Sequence, residues 1–172
     1  SIFRGGCTRD AVDQVVGAAL PLVIQLVDKS LLQRTSEGRF QMHELFRQYA
    51  FEQLNEQSDR QQRLLNVHSA YFTTFLHARQ RDLEGGPQKQ TLREIVADID
   101  NIRLAWQTAV SSQDHAAVHR AAETLCIFTD MHSSYLDGIA MFRQAVRALE
   151  SQLDPQTTKR PKDVSSSIDE SS

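Results

Sequence analysis

The run Met42-His43-Glu44-Leu45-Phe46-Arg47 comes within one residue of His-Glu-x-x-His, the spacing that sets two imidazoles on one helix face around zinc. Arg47 stands where the second imidazole should be. A guanidinium stays protonated at any working pH, so this metal site fails. His115 and His119 lie four apart on a predicted helix and can share a metal, but Glu123 is the one further donor on that helix and no soft ligand is near. They read as solvated histidines near a helix start. His68 falls in an apolar stripe between Leu65 and Tyr71, which makes it a hydrogen-bonded packing residue. Cys126, flanked by Leu125, Ile127 and Phe128, reads as a buried, inert thiol. No serine or cysteine is paired with a base and an orienting acid. Among seven glycines there is no Gly-x-x-x-x-Gly-Lys-Ser/Thr, so the chain alone cannot cradle a nucleoside triphosphate. No catalytic residue and no metal ligand is assigned, and the chain is not expected to be an enzyme.

His43 remains as the residue with chemistry to offer. Phe40-Gln41-Met42 reads as a short strand that passes into an amphipathic helix, with His43 at the junction. A helix N-terminus presents free N–H groups and a positive dipole end, so an imidazole N–H placed there adds one donor to a phosphate site. The plain alternative is that His43 only caps its helix.

The elements that must position His43 follow from periodicity. Thr8 is an N-cap with Asp10 in the first turn, Ala11, Val12, Val15 and Val16 form an apolar face, and Gly17 is a stop. Pro21 suits the first position of a second helix over 22–30, apolar around so much of its circumference that burial on more than one side is expected. The runs 31–35 and 39–42 flank Ser36-Glu37-Gly38 and predict a hairpin. Leu45, Phe46, Tyr49, Ala50 and Leu54 then form one helical stripe to about position 58, and Leu64, Leu65, His68, Tyr71, Phe72, Phe75 and Leu76 a second to about position 82. Glu84-Gly85-Gly86-Pro87 breaks the pattern. One helix is predicted over 92–112, another begins at the Asp114 cap, and Tyr135, Ile139, Phe142, Ala145, Val146 and Leu149 give the last. Ala121, Ala122, Ala140, Ala145 and Ala148 supply close-approach positions, and this helix pairing suggests a tetratricopeptide-like solenoid although no ~34-residue period is legible.

The fold class is therefore mainly α: a winged-helix module over 1–58 lacking its first helix, a helical, tetratricopeptide-like arm over 59–150, and a disordered tail over 151–172 rich in proline, serine and charge. Ser1-Ile2-Phe3 followed by Arg4-Gly5-Gly6 reads as the tail of a helix cut short. At 172 residues, 40% hydrophobic and 24% charged, the chain has a globular composition. No apolar run approaches the ~20 residues needed to cross a bilayer and no signal peptide opens the chain. Cys7 and Cys126 are too few for a disulfide framework and fit a cytoplasmic protein. A winged helix invites DNA, but residues 1–58 carry six Lys/Arg against seven Asp/Glu, and the helix that would enter the groove offers Lys29 beside Asp28. Several phosphate contacts are needed to hold DNA at ordinary salt, so direct DNA binding is not expected.

Met42-His43-Glu44-Leu45 with Arg47, Tyr49 and Ala50, preceded by Leu26-Val27-Asp28-Lys29-Ser30-Leu31-Leu32, resembles the winged-helix domain of STAND-class signalling ATPases, bacterial relatives of the NB-ARC switches. Phe3-Arg4-Gly5-Gly6 is similar to the turn that opens that domain, and the run from Asp98 through Asp100, Asn101 and Arg103 to Trp106 is similar to the helix that opens the arm of these regulators. The resemblance implies a regulatory fragment whose nucleotide-binding domain lies upstream. It implies that His43, with Met42 seating the junction, contacts ADP held by that domain; Glu44 replaces the family's aspartate, with a local capping role. ATP or ADP then belongs to the longer polypeptide and no cofactor to this chain. Arg39 and Arg47 are expected as further contacts to the missing domain. The expected partners are that domain and a protein inducer or second copy on the arm, in signal transduction and transcription regulation, without a membrane. The alternatives are a DNA-binding winged helix with a helical dimerisation arm, or a non-catalytic interaction scaffold.

Overall fold

The hairpin forms where two short runs flank the glycine-containing turn. A computed structural model, which describes residues 2–132 and 135–153, pairs β1 (Leu32–Arg34) antiparallel with β2 (Phe40–Met42), Leu32 opposite Met42 and Arg34 opposite Phe40. Thr35 closes the loop through its backbone and its hydroxyl, which accepts from the Arg39 N–H at 3.2 Å.

A third segment lies against β2. The Cys7 N–H donates to the Phe40 carbonyl at 2.9 Å and the Phe40 N–H returns a bond to the Cys7 carbonyl at 2.8 Å. The opening of the chain is thus not the tail of a helix: over residues 2–7 it is extended and turned, with Gly5 and Gly6 at φ of 70° and 96°. A Cβ on Gly6 would stand 2.9 Å from the Phe40 carbonyl oxygen, so glycine is required for this approach. Ile2 is buried, and Phe3 lies 5.8 Å from the His68 ring and 6.4 Å from Phe72. Two apolar residues that seemed to have nothing to pack against are anchors.

Thr8 caps α1 (Arg9–Ala11) as expected, its hydroxyl accepting from the Ala11 N–H at 3.2 Å. The helix widens into a π turn over Val12–Val16 and stops at Gly17, φ 63°. Pro21 sits one position into α2 (Leu20–Asp28), where its missing N–H costs no intrahelical bond. Only one side of α2 is covered: Val23 is buried, but Leu22 and Ile24 are 50% and 48% exposed. The expected burial on more than one side is not reached, because this chain supplies no second wall among its described residues.

The remaining chain is helical: α3 (Glu44–Asn55), α4 (Ser58–His77), α5 (Gln80–Gly85), α6 (Gln88–Ala97), α7 (Ile99–Ser111), α8 (His115–Met131) and α9 (Tyr135–Leu153). The stripe predicted as one helix over 92–112 breaks at Asp98, which caps both α6 and α7. Asp114 caps α8 by accepting from the Ala117 N–H at 3.0 Å. α4 packs on α7 and α8, and α7 on α9. The core runs from Cys7, Ala11 and Phe40 through Phe72, Leu76 and Ile95 to Trp106, Leu125 and Ala145, so residues on both sides of position 58 share it. The Trp106 indole is buried and donates to the Met141 carbonyl at 2.9 Å, which fixes α9 against α7. The fold is mainly α with one small antiparallel sheet, and no single helix among the described residues is long and apolar enough to cross a membrane. The tail expected over 151–172 falls, from position 154 on, outside the described residues.

Candidate functional site

β2 ends at Met42 and α3 begins at Glu44, so His43 is the single residue between strand and helix, with φ −59° and ψ 138°. Its Nδ1 accepts the Leu45 N–H at 3.3 Å, and its ring lies edge-on to Phe46 at 6.3 Å. A neutral imidazole that accepts at Nδ1 carries its proton on Nε2. That N–H is a donor with no partner among the described residues, and His43 is exposed. Met42, half-buried, pairs with Leu32 and holds the junction to β1.

Glu44 binds Arg47 through two contacts, 2.7 and 2.6 Å, and accepts from Gln48 at 3.1 Å. Arg47 beside it pulls the Glu44 carboxyl down to about 2, so the acid stays ionised in the first turn, where the helix dipole favours it. α3 buries no residue. Leu45, Phe46 and Tyr49 are 69%, 47% and 64% exposed, whereas Ala50 and Leu54 are half-buried, so the predicted stripe divides: its first three residues face away from the rest of the chain and its last two lie on the covered side with Phe51.

Arg39 does not face outward. Its guanidinium meets the Asp98 carboxylate end-on, Nη1 and Nη2 donating at 2.9 and 2.7 Å, and Nη2 also donates to the Ala97 carbonyl at 3.0 Å. The hydrogen bond to Asp98 raises the Arg39 pKa above its ordinary value. Asp98 also accepts from Asn101 Nδ2 at 2.9 Å, and the same amide nitrogen reaches the Gly6 carbonyl at 2.9 Å. Asn101 Oδ1 takes the Arg4 backbone N–H at 2.8 Å and faces His68 Nε2 at 3.4 Å. The acid-and-asparagine signature of 98–106 thus builds a buried node that ties the hairpin and the N-terminal turn to the α6–α7 corner. Sequence reading placed Asp98 and Asn101 on one helix but had no signal for their partners, which lie 59 and 95 residues away.

His68 is fully buried between Phe3 and Phe72, a packing residue as expected. With Nε2 donating to Asn101, its Nδ1 is a buried acceptor without a partner, and burial pushes the imidazole down to about 4. Burial likewise pushes the Cys7 thiol up to about 12. Cys126 is exposed, contrary to expectation: α8 buries Ala121, Leu125 and Phe128, and position 126 turns away from that face. His115 and His119 are exposed on α8, and no group of three potential metal ligands gathers among the described residues.

The chain matches no protein-family model, no curated protein and no solved structure at a significant level.

Proposed function

We propose that this chain is the regulatory portion of a STAND-type signalling ATPase, a winged helix followed by a tetratricopeptide-like arm, in which His43 reports the nucleotide held by a neighbouring domain. The observation that carries the reading is the state of α3. Its N-cap imidazole is exposed, with Nε2–H unengaged among the described residues, beside three exposed apolar side chains, Leu45, Phe46 and Tyr49. A donor ringed by apolar surface suits a docking face that closes over a phosphate. A nucleotide that gains the Nε2–H contact in the closed arrangement and loses it in the open one favours closure by that difference alone. Arg47 stands at the same helix end, whereas Arg39 is committed to Asp98 and takes no part.

The test uses a polypeptide that carries this chain together with its ATPase domain. His43→Ala speeds ADP release and raises basal output. An unchanged ADP off-rate with unchanged output would reduce His43 to the cap of α3 and favour the scaffold reading, which the Nδ1 bond to the Leu45 N–H serves equally well.

A further inference from the structure

α8 and α9 touch where Gly138 passes Thr129, so closely that a Cβ on the glycine would stand 2.9 Å from the threonine methyl. Beside that contact lies a groove of about 570 Å³, lined by Cys126 from α8 and by Ile139, Phe142, Arg143, Val146 and Glu150 from α9. Ile139, Val146 and Leu149 are exposed, so no described residue covers this side of α9. Contiguous apolar surface of this kind marks a place of contact.

The charges on α9 say what covers it. Ile139, Arg143, Val146 and Glu150 follow one another at steps of four, three and four, so they share one helix face. Arg143 and Glu150 lie two turns apart, about 10 Å along the axis, too far to pair with each other. Among the described residues neither is in an ion pair. They flank Val146 almost evenly, three residues before it and four after. A second α9 laid antiparallel on the first, with Val146 at the twofold axis, therefore brings Arg143 opposite Glu150 twice and covers Ile139 and Val146. A parallel copy would set arginine level with arginine and acid level with acid. The chain's own residues 154–172 match this face poorly, since Val164 and Ile168 are their only aliphatic side chains.

We propose that α9 is the contact between two copies of this chain, packed antiparallel about Val146 with reciprocal Arg143–Glu150 ion pairs. One helix and the groove beside it make a small interface, so the dimer is of the weak, dissociable kind. Of the two partners that the sequence left for the arm, an inducer or a second copy, the charges favour the copy on this face. The surface does not use His43 and stands apart from the nucleotide reading.

Sedimentation equilibrium of the full chain over a range of protein concentrations is the test. The chain is monomeric when dilute and dimeric when concentrated. Val146→Asp, at an exposed position, weakens the dimer at least about tenfold with an unchanged circular dichroism spectrum. Arg143→Glu and Glu150→Arg each weaken it at least about tenfold, because each sets like charges together twice. An equimolar mixture of those two variants dimerises as the unaltered chain does, since every pair across the mixed interface is again of opposite charge. His43→Ala leaves the dimer unaltered. A chain that stays monomeric at every concentration would leave the groove to its own residues 154–172 or to a different protein, and a dimer indifferent to Val146→Asp would lie on another face. Either result overturns the proposal, as does a mixture of the two charge variants that dimerises no better than each alone.

Discussion

Two regions of the molecule use the same residue types to opposite ends. At the α6–α7 corner an arginine, a carboxylate and a histidine are enclosed: Arg39 and Asp98 side chains are 12% and 4% exposed and His68 is fully buried. At the start of α3 the same three types are less covered: Glu44 is 58% exposed and His43 is exposed beside it, while Arg47 is half-buried at 20%. At the corner, the terminal nitrogens of Arg39, the Asp98 carboxylate and the Asn101 amide are bound to groups of this chain, and the cluster holds distant segments together. On α3 the helix N-terminus keeps a donor and three apolar side chains that no described residue engages or buries. What separates a structural residue from one available for recognition is therefore not its type. It is whether this chain encloses it: His68 keeps an unfilled acceptor at Nδ1, yet its burial puts that atom out of reach.

The contrast is sharpest in the two ion pairs. Asp98→Ala leaves the Arg39 guanidinium and the Asn101 amide enclosed without their acceptor, and removing one partner of a buried pair costs about 3–5 kcal/mol. Glu44→Ala removes an exposed acid from a pair that water already screens on the Glu44 side, and the urea midpoint is expected to move far less than for Asp98→Ala. Urea unfolding of the two variants side by side is the check. Equal losses would mean that the corner is not enclosed and the comparison is wrong.

The histidines separate next, through pH. His68 sits near 4 in the folded chain, below the ordinary 6.5, because its charged form cannot be hydrated. Between those values the unfolded chain binds the proton and the folded chain does not, so its contribution to stability is present above about 6.5 and fades as pH falls towards 4. The span corresponds to roughly 3 kcal/mol. Acidic residues also titrate in this window, so the informative quantity is the difference between the wild-type chain and His68→Gln, whose urea midpoint should fall less from pH 6.5 to pH 4. A midpoint that falls equally in both would mean that His68 is hydrated, and the enclosed region would lose its clearest member.

Local signals made much of this architecture legible. Thr8, Gly17, the Ser36-Glu37-Gly38 turn and Asp114 act through neighbours a few residues away, and each stands where its chemistry placed it. The strand–helix junction at His43 was readable for the same reason. What escaped depends on distant partners. The break at Asp98 has no glycine or proline to announce it; the acid turns the chain while gripping Arg39 and Asn101. The pairing of Cys7 with Phe40 needed knowledge that the N-terminal segment returns to the hairpin. Periodicity joined Leu45, Phe46 and Tyr49 to Ala50 and Leu54 as one stripe, but the first three are exposed and the last two half-buried, because apolar spacing cannot say which side of a helix this chain covers.

The smallest effects test the open region. His43→Ala removes the acceptor for the Leu45 N–H and should cost about 0.5–1 kcal/mol, whereas His43→Asn keeps a side-chain cap and should cost less. Leu45→Ser and Tyr49→Ser should stay within about 0.5 kcal/mol of the unaltered chain in urea, since neither residue is buried here. The pairing of these variants separates two duties of one residue. If His43→Asn matches the unaltered chain in stability yet, with the ATPase domain present, releases ADP as fast as His43→Ala, the cap and the donor are distinct functions of the ring. Should Leu45→Ser or Tyr49→Ser cost as much as a core truncation, α3 would be covered in solution and its N-terminus could not serve as a docking face.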